Sequence, residues 1–154
     1  MRLLLMRHAE AVPGRDDDPL RPLTEAGCKA LSHPGQAVLV ALSEVSELLA
    51  SPWLRAQQTA ALMRSRTAAQ TVQHTDLLLP SADPEAVLER LESVEVDVLL
   101  LVAHQPLVGK LAALLCDGFH APPWAFSPAD MAVIDLDWPA AGLGYLRRWH
   151  HFPN

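Results

Sequence analysis

The chain is expected to fold as a three-layer α/β/α sandwich with a mostly parallel central sheet. Strand-like and helix-like segments alternate through most of its length, the pattern of βαβ units. Residues 97–103, Asp-Val-Leu-Leu-Leu-Val-Ala, are apolar on both faces, as a central strand covered by helices must be. A second short apolar run, Leu3-Leu4-Leu5-Met6, also reads as a buried strand, although periodicity alone does not separate it from a buried helical piece. The 154 residues suit a single domain spanning 1–154.

Taken in order, the first strand ends abruptly in Arg7, His8 and Glu10. Residues 11–22 are rich in turn formers and hold the acidic run Asp16-Asp17-Asp18, best read as a solvated loop because adjacent side chains cannot all face one ion. Thr24 is a plausible helix N-cap. His33-Pro34-Gly35 should break that helix before it resumes over Gln36–Leu42. A second strand spans Val45–Ala50, and Ser51-Pro52 then reads as a helix start, serine at the cap and proline in the first turn, with the helix running over Trp53–Arg66. Gln70–His74 alternates as a short third strand, Leu77-Leu78-Leu79 precedes a loop, and Asp83-Pro84 caps a helix reaching Leu91. After the 97–103 strand comes His104, and Gln105-Pro106 opens a helix ending near Cys116. A proline-rich loop with exposed-looking aromatics, including Trp124 and Phe126, leads to two last strands, Met131–Leu136 and Tyr145–Trp149.

Composition narrows the function. Half the residues are hydrophobic and 19% are charged, an ordinary globular balance. A formal net charge of −6 argues against broad nucleic-acid binding, which needs clustered Lys and Arg, yet leaves room for a local basic pocket. Cys28 and Cys116 lack metal-ligand spacing and read as reduced thiols. His150-His151 would point to opposite faces of an extended chain, which argues against joint metal binding. The opening apolar run is too short for a signal peptide and no stretch reaches membrane-spanning length, so a cytoplasmic protein without membrane attachment is expected.

Three strand-to-helix junctions carry informative residues: Arg7 and His8 after the first strand, Arg55 after Ser51-Pro52, and His104 after the 97–103 strand. In a parallel sheet such junctions share one edge, toward which helix amino termini also point. Two guanidinium groups with two imidazoles suit a dianion such as phosphate. A neutral imidazole nitrogen can attack phosphorus if its other nitrogen is held protonated by a backbone carbonyl. The arginines and second histidine would then stabilise charge on the phosphoryl oxygens, and water would hydrolyse the phosphohistidine. No metal or other cofactor is called for.

These residues resemble those of the histidine phosphatase superfamily, which has the phosphoglycerate mutase-like fold. Met6-Arg7-His8-Ala9-Glu10 is similar to its RHG/RHA signature, Ser51-Pro52-Trp53-Leu54-Arg55-Ala56-Gln57-Gln58-Thr59-Ala60 to its SxxxRAxQTA block, and Val102-Ala103-His104 to its second histidine. The short length, Arg21-Pro22-Leu23-Thr24-Glu25-Ala26-Gly27 and His104-Gln105-Pro106-Leu107-Val108-Gly109 look most like the SixA-type phosphohistidine phosphatases. The resemblance implies His8 as the phosphorylated nucleophile, Arg7, Arg55 and His104 as its phosphate pocket, and Arg21 as a phosphate or substrate contact. It also implies a substrate: phosphohistidine on a phosphotransfer domain of a signalling relay. Trp53, with Trp124 and Phe126, could form an apolar rim receiving a protein helix, although such aromatics more often pack.

The chain departs from larger superfamily members, which place a glutamate general acid after the third strand within a motif missing here. Glu10, Asp76, Asp83 and Glu85 are the available carboxylates, and Asp83 reads better as a helix cap. An alkoxide leaving group needs a proton badly, whereas a protonated phosphoimidazole departs as neutral imidazole, whose conjugate acid titrates near ~6.5. A site without a strong acid therefore favours phosphoramidates. The alternatives are a small-molecule phosphomonoesterase acting on a sugar phosphate or nucleotide, and a phosphate-binding module without turnover.

Overall fold

The computed structural model describes residues 1–152; the last two residues of the expected 1–154 domain lie outside the described residues. Its core is a six-stranded sheet built from β1 (Arg2–Arg7), β2 (Glu47–Ala50), β3 (Val72–His74), β4 (Val98–Ala103), β5 (Met131–Leu136) and β6 (Gly144–His150). The order is β3-β2-β4-β1-β5-β6. β3, β2, β4 and β1 are mutually parallel, while β5 and β6 add an antiparallel leg beside β1.

Alternation along the strands divides the core between two helical layers. Leu4 and Met6 of β1, with Leu100 and Val102 of β4, face α1 (Glu25–Ala30), α2 (Gln36–Ser43) and α3 (Leu54–Arg64), where Val38, Leu42, Ala56, Ala60 and Met63 meet them. Leu3, Leu5, Leu99 and Leu101 face α4 (Pro84–Leu91) and α5 (Leu107–Asp117) through Val87, Leu91, Leu107, Leu111 and Leu115. The three-layer sandwich follows from that two-sided apolar pattern. No helix of the described residues is long and apolar enough to cross a membrane.

Most local signals are used as read. Thr24 caps α1, its hydroxyl accepting from the Gly27 N–H at 2.9 Å, and Asp83 caps α4 by accepting from the Glu85 N–H at 2.9 Å. The chain breaks at His33-Pro34-Gly35 and restarts as α2 at Gln36. Other segments differ from expectation. The helix after β2 begins at Leu54 with Trp53 in the cap position, not at Ser51, whose hydroxyl is turned toward a distant partner. β3 keeps only Val72–His74 of the expected strand, and Asp76–Leu78 forms a 3₁₀ turn stapled by the Thr75 hydroxyl. Phe126 is buried against Trp149, with ring centroids 4.5 Å apart, rather than exposed. Trp124 also leans on Trp149 and donates its indole N–H to Asp117 Oδ2 at 2.7 Å. The apolar rim therefore does not include these two aromatics.

Candidate active site

Two ladders run past the ends of their strands and carry the site with them. The His8 N–H donates to Ala103 O at 3.0 Å, prolonging the β1–β4 pairing, and the Ser51 N–H donates to Val102 O at 3.0 Å, prolonging β2–β4. His8, Ser51 and His104 are thus set side by side at the carboxyl edge of the parallel strands, the position at which open α/β sheets place ligands. On the other flank the Arg7 N–H donates to Asp130 O and the Ala129 N–H to His8 O, each at 3.0 Å, so the residues leading into β5 fix the same strand end. α3 reaches across through Thr59, whose buried hydroxyl accepts from the Ala9 N–H at 3.1 Å and donates to Arg55 O at 2.8 Å.

Arg7, His8, Arg21, Arg55 and His104 line one cavity of about 500 Å³. The rings of His8 and His104 meet edge to face with centroids 5.1 Å apart. His8 Nδ1 lies 2.7 Å from Ala9 O. A carbonyl can only accept, so Nδ1 carries the proton and Nε2 keeps its lone pair. Burial, reinforced by the Arg7, Arg55 and Arg21 charges, lowers the His8 pKa to about 4 despite the opposing pull of the Ala9 carbonyl. Burial, followed by the influence of His8 and the arginines, lowers that of His104 to about 2. Both rings are neutral near pH 7, the state in which an imidazole is nucleophilic.

The arginines are held by backbone oxygens. Arg7 Nη1 donates to Phe126 O at 2.7 Å and Arg21 Nη1 to Val12 O at 2.9 Å. Arg55 donates through Nη1 to Asp18 O at 2.7 Å and through Nη2 to Asp16 O at 2.9 Å. Asp16 and Asp18 thus serve through their carbonyls, and the Asp16 carboxylate also stands 3.9 Å from Arg21 Nη2 at the cavity, whereas the Asp17 side chain pairs with exposed Arg15. Burial lowers the pKa of Arg7 and of Arg55, the latter also through Arg21. Among the described residues, Nε of Arg7, Arg21 and Arg55 and Nδ1 of His104 are buried without a hydrogen-bond partner. Unmet buried donors are costly, and a set of them around one cavity suits an anion with several oxygens.

Trp53 stands behind this group rather than in the cavity lining. Its ring meets that of His104 edge to face at 5.2 Å, and the Arg55 guanidinium carbon lies 4.8 Å from its centroid. Of the candidate carboxylates, Glu10 borders the cavity, its Oε1 accepting from the Thr24 hydroxyl at 3.0 Å. Asp83 and Glu85 border a different groove, and Asp76 starts the 3₁₀ turn. Ser51, Thr59 and the carbonyls of Asp16 and Asp18 went unread as site groups. Their roles rest on long-range hydrogen bonds that leave no local pattern.

No protein-family model matches the chain. It is 32% identical to the phosphohistidine phosphatase SixA of Escherichia coli strain K12 over 144 residues, covering 89% of this chain and 86% of that protein. It is 28% identical to the SixA homolog of Haemophilus influenzae over 148 residues, covering 89% of each. A solved structure of the protein histidine phosphatase SixA complexed with tungstate is similar at a TM-score of 0.79 and 28% identity, over 97% of this chain and 96% of that one.

Proposed function

The chain belongs to the SixA-type phosphohistidine phosphatases of the histidine phosphatase superfamily, and from that membership we propose that it removes the phosphoryl group from phosphohistidine on a phosphotransfer signalling domain, with His8 as nucleophile. The observation that carries this reading is the state of His8: a neutral ring with Nδ1–H on Ala9 O, which leaves the Nε2 lone pair free beside three guanidinium groups.

His8 Nε2 attacks phosphorus, forming one P–N bond as the bond to the substrate imidazole breaks. The substrate imidazole leaves with the electron pair of that bond and with the proton it already carried. The arginines and His104 oppose the charge on the phosphoryl oxygens, a task that fixed donors perform without reorganising. Water then attacks the phosphohistidine, giving inorganic phosphate and restoring His8. Because the guanidinium groups supply the counter-charge, turnover is metal-independent in this reading and is expected to survive EDTA. A cytoplasmic location belongs to the same proposal: Cys28 and Cys116 are free thiols, the form a reducing compartment maintains.

The test is a substrate panel comprising a phosphorylated phosphotransfer domain, phosphoramidate, sugar phosphates and nucleotides. The two phosphoramidates should turn over, with the alkyl phosphomonoesters slower by at least ~100-fold, and an acid-labile, alkali-stable phosphate should form on the enzyme and vanish in His8→Ala. Equal turnover of the monoesters, or a labelled His8→Ala protein, would overturn the reading.

A further inference from the structure

Ser51 precedes α3 where a cap is expected, and its hydroxyl also reaches a residue far along the chain. The residue is fully buried at 0% exposure, so its O–H must find an acceptor inside the protein. The Trp53 N–H donates to Ser51 Oγ at 3.2 Å, which uses an oxygen lone pair and leaves the hydroxyl proton to be placed. The one other partner of this oxygen among the described residues is His104 Nε2, at 2.7 Å. If Nε2 carried the ring proton and donated to Ser51, the serine O–H would be orphaned, and the bare Nδ1 would turn a lone pair on an anionic ligand. If Ser51 donates to Nε2, one group is left over instead of two: the neutral ring keeps its proton on Nδ1, a buried nitrogen with no partner among the described residues.

We propose that Ser51 is a positioning residue that fixes the tautomer of His104, holding the proton on Nδ1 so that this nitrogen donates to a phosphoryl oxygen of the substrate. The inference rests on the phosphoryl-transfer reading for its purpose, whereas the tautomer itself is read without substrate. The depressed pKa of His104 fits it, since a protonated ring would have no tautomer to set and could not accept from a hydroxyl. Trp53 joins the same arrangement through its backbone N–H and the T-shaped contact of its ring with His104.

The experiment is a long-range ¹H–¹⁵N correlation spectrum of the ligand-free, histidine-labelled full chain at pH 7, with His104 assigned by comparison with His104→Gln. The expected result is a proton on Nδ1 in the wild type. In Ser51→Ala that preference should be lost, with kcat on the phosphorylated substrate down about 10- to 100-fold and KM little changed, the usual scale for removing an orienting partner. Ser51→Thr, which keeps the hydroxyl, should restore both. A wild-type proton on Nε2 would overturn the proposal even if the variants failed to fold, and so would a Ser51→Ala protein with unaltered tautomer and kcat. A wild-type protein that shows the Nδ1–H form yet cleaves no phosphorylated compound would support the hydrogen-bond assignment while removing the phosphatase reading.

Discussion

In the proposed mechanism His8 has to be neutral to attack phosphorus, and its surroundings keep it so more than the solution does. Its pKa of about 4 lies well below the usual ~6.5, so the reactive form persists through mildly acidic conditions. An NMR titration of the ligand-free protein should find the His8 ring neutral at pH 5.5, and kcat/KM for phosphoramidate should show no acid limb between pH 7 and 5.5. A break near 6.5 would mean that the ring is solvated. Trp53 makes a second test at this scale. Because it braces His104 and Arg55, Trp53→Ala should lower kcat/KM roughly tenfold on phosphoprotein and small phosphoramidate alike. Trp124→Ala, on the Trp149 stack, should stay within about twofold of wild type. A loss confined to the phosphoprotein would make Trp53 a docking residue instead.

Elements deliver these residues, and their junctions are where packing is tightest. α1 crosses the exit of β1 so closely that a methyl group on Gly27 would overlap the Glu10 carbonyl, two residues beyond His8. A helical Gly→Ala exchange ordinarily stabilises by about 1 kcal/mol. Here the sign should reverse, with Gly27→Ala losing roughly 1–3 kcal/mol in urea unfolding and losing activity as the strand end shifts. The elements themselves were largely legible. β1 and β4 announced burial on both faces, Thr24 and Asp83 announced caps, and His33-Pro34-Gly35 announced a break. Arg7, His8, Arg55 and His104 stood at junctions that a parallel sheet must gather, so their shared cavity was also foreseeable. Ser51 was misread because its cap-like neighbours are local, whereas its partner, His104, is 53 residues away. β3 was overestimated because an alternating edge segment looks the same whether or not the ladder continues.

For the molecule as a whole, the site is a stability cost as well as an asset. The unfolded chain binds protons on His8 and His104 near the ordinary ~6.5, while the folded chain resists them down to about 4 and about 2. Below about 6.5 the unfolded state therefore holds more protons, and stability falls as pH falls, at up to about 1.4 kcal/mol per pH unit for each ring. The urea midpoint should drop between pH 7 and pH 5, and drop less in His104→Gln, which has lost one of the two rings; equal losses would refute this account. Among the described residues, Nε of Arg7, Arg21 and Arg55 and Nδ1 of His104 are buried without a protein partner, a further cost in the same direction. The released product, inorganic phosphate, has the oxygens to satisfy them. A preparation kept in phosphate buffer should therefore melt higher and run slower than one kept in an amine buffer, so storage conditions chosen for shelf life would quietly throttle every assay that follows.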